Sequence, residues 1–380
     1  MNLEVLLGDT KFNMLTLDGP DGSLELTNDP LCSFRQFLQI MSGEDFDVMP
    51  EKYTKMSQHF VSSSYAAPLL MPRQHLKSSL ALAESKFTKI IAEEKNYEYL
   101  TIWLEIKNFL DSLKRAKIDK DALKNLMISR SDVDSKSLET FLPQPDGFAK
   151  PVKYNTCGTI TGRLTVGSGP HVLTTHHSVR NCIQSSFQKG SVYYVDFTSL
   201  EPRVALIAVG KNAPEDVYGD ILEQFPNLTR EAAKLSLLTA LYGGQPVKIA
   251  ELIGDLSLAK KILSFVRAHF DVQRLEQMLL EQSSSGIVKN ILGRPLREAV
   301  KNQRNRTNYF LQSSAAELSI LLFSRLCSKF EHGIRPLFVI HDALIVDVSS
   351  EADLLFQEEA KKMKWKASPM PVKIELLSNN

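Results

Sequence analysis

A carboxylate at the end of an apolar strand is costly unless something cationic answers it. Ser191–Val195 is a run rich in β-branched and aromatic residues, which reads as a buried strand, and Asp196 stands at its C-terminal end. Leu337–Ile340 and Leu344–Val348 read as two further strands joined across His341-Asp342-Ala343, a hairpin with a carboxylate at its tip. Two such aspartates brought together repel each other. A pair of Mg²⁺ ions would answer both charges, and that arrangement serves in-line displacement at phosphorus. Taken singly, each aspartate reads as an ordinary turn residue, because Asp is common in turns.

Arg230, Lys234, Leu238 and Tyr242 recur at intervals of four, which lays them along one drifting stripe of a helix capped by Thr229. Arg230 then lies in the first turn, where a cation opposes the helix dipole. A docked polyanion would reverse that effect, and helix N-termini attract phosphates. The expectation is a triphosphate grip by Arg230 and Lys234. Leu238 would lie beside the sugar or base, and Tyr242-Gly243 near a template. From this segment alone, a surface helix with solvated charges and Tyr242 in the core reads as well.

From Arg294 to Arg306 the chain carries Arg294, Arg297, Lys301, Arg304 and Arg306 against the single acid Glu298. Such density suits tracking along a nucleic-acid backbone, although a charge run is more often a solvated helix face. Asn308 and Gln312 follow in helical register with Arg304. Their amides can meet minor-groove acceptors present on every base pair, which suits a sequence-blind enzyme.

These residues need a scaffold. The 380 residues are 43% hydrophobic and 23% charged with a net charge of +1, which predicts a globular protein of two or three domains. Near-neutral charge does not exclude nucleic acid, because acidic surfaces can balance a basic groove. Cys32, Cys157, Cys182 and Cys327 are scattered without a CxxC pair, so neither a zinc knuckle nor a disulfide framework is indicated. Reduced thiols, no secretory signal at Met1–Phe12 and no long apolar run predict a cytoplasmic protein without a membrane partner.

In residues 1–72, Leu3–Leu7 and Met14–Leu17 read as short strands and Gly19–Gly22 as a turn, with no functional signal. Residues 73–129 read as helical, with apolar positions at Leu80, Leu82, Phe87, Ile90 and Ile91 and again at Leu100, Trp103, Leu104, Ile106 and Leu110. Residues 130–150, rich in Ser, Asp, Pro and Gly, read as a linker or long loop. The chemistry lies after residue 150, where strands mix with long helices.

In combination, the segment from Lys153 to Asn380 resembles the polymerase domain of family A DNA polymerases, the bacterial polymerase I-like group with its phage and mitochondrial relatives. Thr161-Gly162-Arg163-Leu164 is similar to the family's TGRL element. Asp196 to Arg203 resembles motif A, Arg230 to Gly243 motif B, and Gly293-Arg294 with Arg297 the GRRR element. Arg304, Asn308 and Gln312 match the RxxxNxxxQ helix, and His341-Asp342 the start of motif C.

The resemblance implies an α+β right-hand polymerase fold with an antiparallel-sheet palm (151–210 and 301–380), helical fingers (211–300) and a helical thumb with its linker (73–150). It implies a DNA-directed DNA polymerase adding dNTPs to a primer 3′-hydroxyl. Asp196 and Asp342 would hold two Mg²⁺ ions, with Arg230 and Lys234 on the triphosphate. Glu201 would exclude ribonucleotides. Arg163, Arg294, Arg297, Arg304, Asn308, Gln312 and His341 would contact primer-template DNA, and Tyr242 would position template and primer.

Ala343 stands where motif C has a glutamate, Leu238 where motif B has an aromatic residue, and Pro202 is unusual in motif A. Residues 1–150 offer no Asp-x-Glu of an exonuclease site. The expectation is therefore a phage-type enzyme without 3′–5′ proofreading, with a separate exonuclease or processivity factor as partner. Alternatives are a single-subunit RNA polymerase-like enzyme, against which Glu201 argues, and a catalytically impaired polymerase fold acting as a DNA-binding subunit.

Overall fold

The computed structural model describes residues 32–43, 74, 78, 85–86, 88–129 and 135–379. The chain divides into two compact units, residues 1–108 and 109–380. The expected strands and turn within residues 1–22 lie outside the described residues, as do Leu80, Leu82 and Phe87.

In the first unit, helix α1 spans Cys32–Ser42, and helix α2 spans Glu94–Ser112, running on past the division. Tyr99, Leu100, Trp103 and Ile106 recur at helical spacing and are buried. Phe37 of α1 packs its ring 6.2 Å from that of Tyr99 and 5.4 Å from that of Trp103. Trp103 is thus a core residue, as its apolar stripe predicts.

The second unit mixes helix and sheet. In chain order its elements begin with β1 (Lys117–Ile118), α3 (Lys120–Ser129), α4 (Ser135–Glu139), β2 (Lys153–Asn155) and β3 (Thr165–Ser168). A 3-10 turn at His177–Cys182 leads into β4 (Ile183–Gln184), β5 (Gly190–Phe197) and α5 (Leu200–Ala208). Then come α6 (Gly219–Gln224), α7 (Arg230–Leu241), α8 (Val247–Ile253), α9 (Leu256–His269), α10 (Val272–Ser284), α11 (Arg297–Lys301) and α12 (Arg306–Cys327). The chain closes with β6 (Ile334–Ile340), β7 (Ala343–Ser349), α13 (Asp353–Lys361), β8 (Lys364–Trp365), β9 (Ser368–Pro369) and β10 (Val372–Asn379).

The central sheet has the order β10-β5-β7-β6 with every pair antiparallel. Strand side chains alternate between faces. On one face of β5, Val192 and Tyr194 join a core that includes Ile118, Leu123, Leu138, Phe141, Phe338 and Ile345. On the other, Tyr193 stacks toward Phe356 of α13, and Phe197 toward Phe323 of α12, with ring centroids 4.8 Å apart in the latter pair. Asp196 shares the face of Val192 and Tyr194 by the same alternation. Asp347 of β7 is buried in the sheet, and its carboxylate accepts from Ser185 Oγ at 2.6 Å, Ser186 N at 2.8 Å and Ser186 Oγ at 2.6 Å.

Of the two readings of 130–150, linker or long loop, the described part, residues 135–150, follows the second: a short helix at Ser135–Glu139 and then a loop, but not a linker. Leu138, Phe141 and Ala149 are core residues of the second unit. The Arg115 guanidinium grips Asp146 (2.7 Å) and the carbonyls of Ala149 (2.8 Å) and Phe148 (3.1 Å). A polar composition here marks turns that are packed down rather than a free tether.

Candidate active site

β5 ends in Asp196-Phe197, and the β6–β7 hairpin turns through His341-Asp342. His341 takes a left-handed φ of 56°, as the first residue of a tight two-residue hairpin loop often must. Asp196 pairs in register with Ala343 on one side and Lys373 of β10 on the other. The backbone N–H of Phe197 donates to the carbonyl of Asp342 at 3.3 Å. The two aspartates are therefore neighbours across adjacent strands, and the small Ala343 stands beside Asp196.

Burial, then repulsion from Asp342, pushes the Asp196 carboxyl up to about 6, against the pull of Arg180, Lys234 and Lys373. A carboxylate made this uncomfortable by its surroundings suits a divalent cation. Among the described residues no group of three or more Cys, His, Asp or Glu side chains gathers to bind a metal. Mg²⁺ commonly takes only one or two protein carboxylates and completes its shell with water and substrate phosphates, so the pair fits that ion.

Arg180 and Lys373 were not singled out by sequence. Arg180 lies in the 3-10 turn with its guanidinium 4.2 Å from the Tyr194 ring centroid. Register puts Lys373 opposite Asp196. Neither has a local signal, because both reach the site through sheet pairing and turn packing.

Glu201 lies in the first turn of α5, where the helix dipole favours an acid. Pro202 is tolerated there because first-turn N–H groups have no partner inside the helix. The Glu201 carboxylate accepts from the Tyr242 hydroxyl and from Arg163 (3.2 Å). Burial, then the Glu201 charge, raises the Tyr242 hydroxyl far above its ordinary range. Arg163, Glu201, Gln312, His341 and Asp342 line one small cleft of about 60 Å³ together with Ala315 and Ala316. Tyr242 and Arg304 line a second cleft of about 290 Å³ with Gln273, Gln277 and Thr307.

Arg203 is 1% exposed, and its guanidinium donates to the carbonyls of Thr198 (3.0 Å), Pro214 (2.6 Å), Glu215 (2.5 Å) and Pro369 (3.1 Å). It thereby ties the start of α5 to the loop before α6 and to β9.

Helix α7 starts where expected, with Thr229 Oγ1 accepting from the N–H of Ala232 at 3.2 Å. Lys234 is exposed and Leu238 half-buried. Arg230 is exposed but engaged. Asp216 accepts two bonds from it, at 2.8 and 2.9 Å, and the Tyr218 ring lies 5.0 Å below its guanidinium. That bond holds the Asp216 carboxyl below the usual carboxylate range. The local misfit between a first-turn arginine and the helix dipole is answered by a carboxylate fourteen residues upstream, which periodicity could not reveal.

The basic run needs correction. Arg294 is 4% exposed and forms an internal ion pair with Glu317 at 2.8 Å, so it is no surface contact for DNA. Arg306 is also buried, donating to the carbonyl of Ala299 at 3.0 Å, and Lys301 pairs with Glu298. Arg297 opens α11 half-buried. Arg304 is exposed on a 3-10 turn before α12 rather than on that helix. Asn308 and Gln312 do lie one turn apart on α12, and Asn308 Oδ1 is buried without a hydrogen-bond partner.

No protein-family profile and no curated protein matches the chain. Its fold is similar to that of a solved structure, the POL domain of Pol1 from M. smegmatis in complex with DNA primer-template and dNTP. The TM-score is 0.50 at 15% identity, over 80% of this chain and 72% of that one. At that identity the likeness is one of fold. Among the described residues, no helix is long and apolar enough to cross a membrane.

Proposed function

We propose that the chain is a template-directed DNA polymerase that adds dNTPs to a primer 3′-hydroxyl and lacks intrinsic 3′–5′ proofreading. The observation that carries this reading is the side-by-side position of Asp196 and Asp342 at the end of β5 and the tip of the β6–β7 hairpin. The fold likeness to a polymerase domain supports it. In this reading residues 151–210 and 301–380, which carry the central sheet, are the palm, residues 211–300 the fingers, and residues 73–150 the helical thumb, with residues 135–150 packed into the core of the second unit.

Asp196 and Asp342 would hold two Mg²⁺ ions. Bound there, the ions would polarise the primer hydroxyl and neutralise charge on the departing pyrophosphate. Lys234, whose charge already reaches Asp196, and Arg230 would receive the triphosphate. Glu201, pinned by Tyr242 and Arg163, would occupy the space a ribose 2′-hydroxyl needs. Asn308, Gln312, Arg304, Arg297 and His341 would meet primer and template. A phage-type, cytoplasmic setting with a separate exonuclease or processivity factor belongs to the same proposal.

Primer extension on a defined template, with dNTPs in one series and rNTPs in the other, tests it. Wild type should extend with dNTPs and Mg²⁺, and Asp342→Asn should not. Equal use of rNTPs would turn the assignment to an RNA polymerase. DNA binding without extension would turn it to a scaffold subunit.

A further inference from the structure

The buried pair of Arg294 and Glu317 is placed to act on the site without touching it. One arm of the Arg294 guanidinium bonds Glu317 at 2.8 Å, and the other donates to the carbonyl of Thr156 at 2.9 Å. The second oxygen of Glu317 accepts from the Asn290 amide at 2.8 Å, and Asn290 Oδ1 accepts from the backbone N–H of Arg294 at 2.9 Å. Glu317 belongs to α12, the helix whose Gln312, Ala315 and Ala316 line the cleft. Thr156 belongs to the loop that leads to Arg163.

The guanidinium also lies against that loop. Gly162 has a φ of +73°, and a Cβ built on it would stand 2.6 Å from Arg294 Cζ and 2.8 Å from Nε. Only a residue without a side chain fits between Arg294 and the turn. The next residue is Arg163, which reaches Glu201 at 3.2 Å, while its own carbonyl accepts from Thr159 Oγ1 at 2.9 Å. We propose that Arg294 is a positioning residue: held by Glu317, it fixes the 156–163 loop on α12 and so sets where Arg163 holds Glu201. The effect on sugar selection rests on the polymerase reading; the effect on the loop does not.

Arg294→Lys keeps a cation for Glu317 but loses the planar fork that also reaches Thr156. Gly162→Ala instead pushes the guanidinium off the loop and leaves both charges in place. The first measurement is limited trypsin digestion, read by mass spectrometry as cleavage after Arg163. Both variants should melt somewhat lower than wild type, and in both that cleavage should rise about tenfold relative to cleavage at tryptic sites outside residues 156–163, as expected for a local opening added to the global one. The second is ribonucleotide discrimination in primer extension. Arg294→Lys should lower it by about fivefold, and the same change in an Arg163→Ala background should add nothing, because the two residues act in series.

Cleavage at the wild-type rate relative to those other sites in both variants overturns the proposal, as do additive effects in the cycle. If wild type extends no primer, the polymerase assignment falls, and the digestion still decides the role of Arg294. If Arg294→Lys fails to fold, Gly162→Ala carries both measurements.

Discussion

Asp196→Asn should make the metal-free protein more stable while abolishing its activity. The carboxyl rises from 3.8 to about 6 in the fold, chiefly through burial and then through Asp342. At about 1.36 kcal/mol per pKa unit, keeping it ionised at neutral pH costs about 3 kcal/mol. The side chain is only half-buried, so solvent screening brings this to about 1–2 kcal/mol. In a unit of this size the gain from asparagine is a rise of about 2–6 °C in Tm.

The sign follows from proton linkage. Between about pH 4 and 6 the folded protein binds more protons at Asp196 than the unfolded chain does. Wild-type stability from this group is therefore fully present below about pH 4 and is lost as pH rises through 6. The advantage of Asp196→Asn should accordingly vanish at pH 4, grow through pH 5 and reach its full size by pH 7. Thermal melts in EDTA at several pH values measure it. Adding Mg²⁺ with a dNTP should raise the wild-type Tm and leave the variant unmoved. A variant that melts lower than wild type at pH 7, or by an equal increment at pH 4 and 7, would refute the claim that Asp196 is held charged at a cost to the fold.

Four further outcomes are expected. Glu201→Ala should relax ribonucleotide exclusion by about tenfold or more in competitive primer extension, since it removes both the bulk and the partner of Tyr242 and Arg163. Asp216→Asn should lower the KM for dNTPs by about two- to fivefold, the range spanned by an exposed ion pair, because Arg230 no longer has to leave a carboxylate; a higher KM would mean that Asp216 presents Arg230 rather than competing for it. Asp347→Ala should destabilise the second unit by about 3 kcal/mol in urea unfolding, because the three bonds from Ser185 and Ser186 lose their acceptor inside the sheet. Primer-template affinity should fall with salt less steeply than the five-residue basic run suggests, and Arg304→Ala should flatten it further by about one unit of slope, whereas a salt-independent affinity would contradict backbone contact altogether.

Much of the scaffold was legible because its signals are local. The apolar run before Asp196, the paired runs around His341-Asp342 and the interval of four from Arg230 to Tyr242 each depend on a few consecutive residues, and β5, the hairpin and α7 fall where those patterns put them. The Thr229 cap is of the same kind. What composition could not show is what a charge meets after folding. Arg294 looks like the exposed Lys301 and Arg304 until Glu317 closes over it from α12. Asp216 gives no sign of its hold on Arg230. The polar 135–150 stretch reads as a tether because its few apolar residues, Leu138, Phe141 and Ala149, follow no period, yet they are the ones the core takes in. Arg180 and Lys373 belong to the same class, brought to Asp196 only by turn packing and strand register.

The strand order has a consequence for the newborn chain on the ribosome. β5 is an interior strand, but both of its hydrogen-bonding neighbours, β7 and β10, are encoded far downstream, and its aspartate meets Ala343 and Lys373 only after those segments emerge. While residues 198–342 are being made, the apolar Val192–Val195 stretch must wait with two open edges, the condition in which strands pair with the wrong partner. The intervening helices can form early from local contacts, whereas the sheet that carries the carboxylates closes last, so slow synthesis or a chaperone that shields residues 190–197 should raise the yield of native protein.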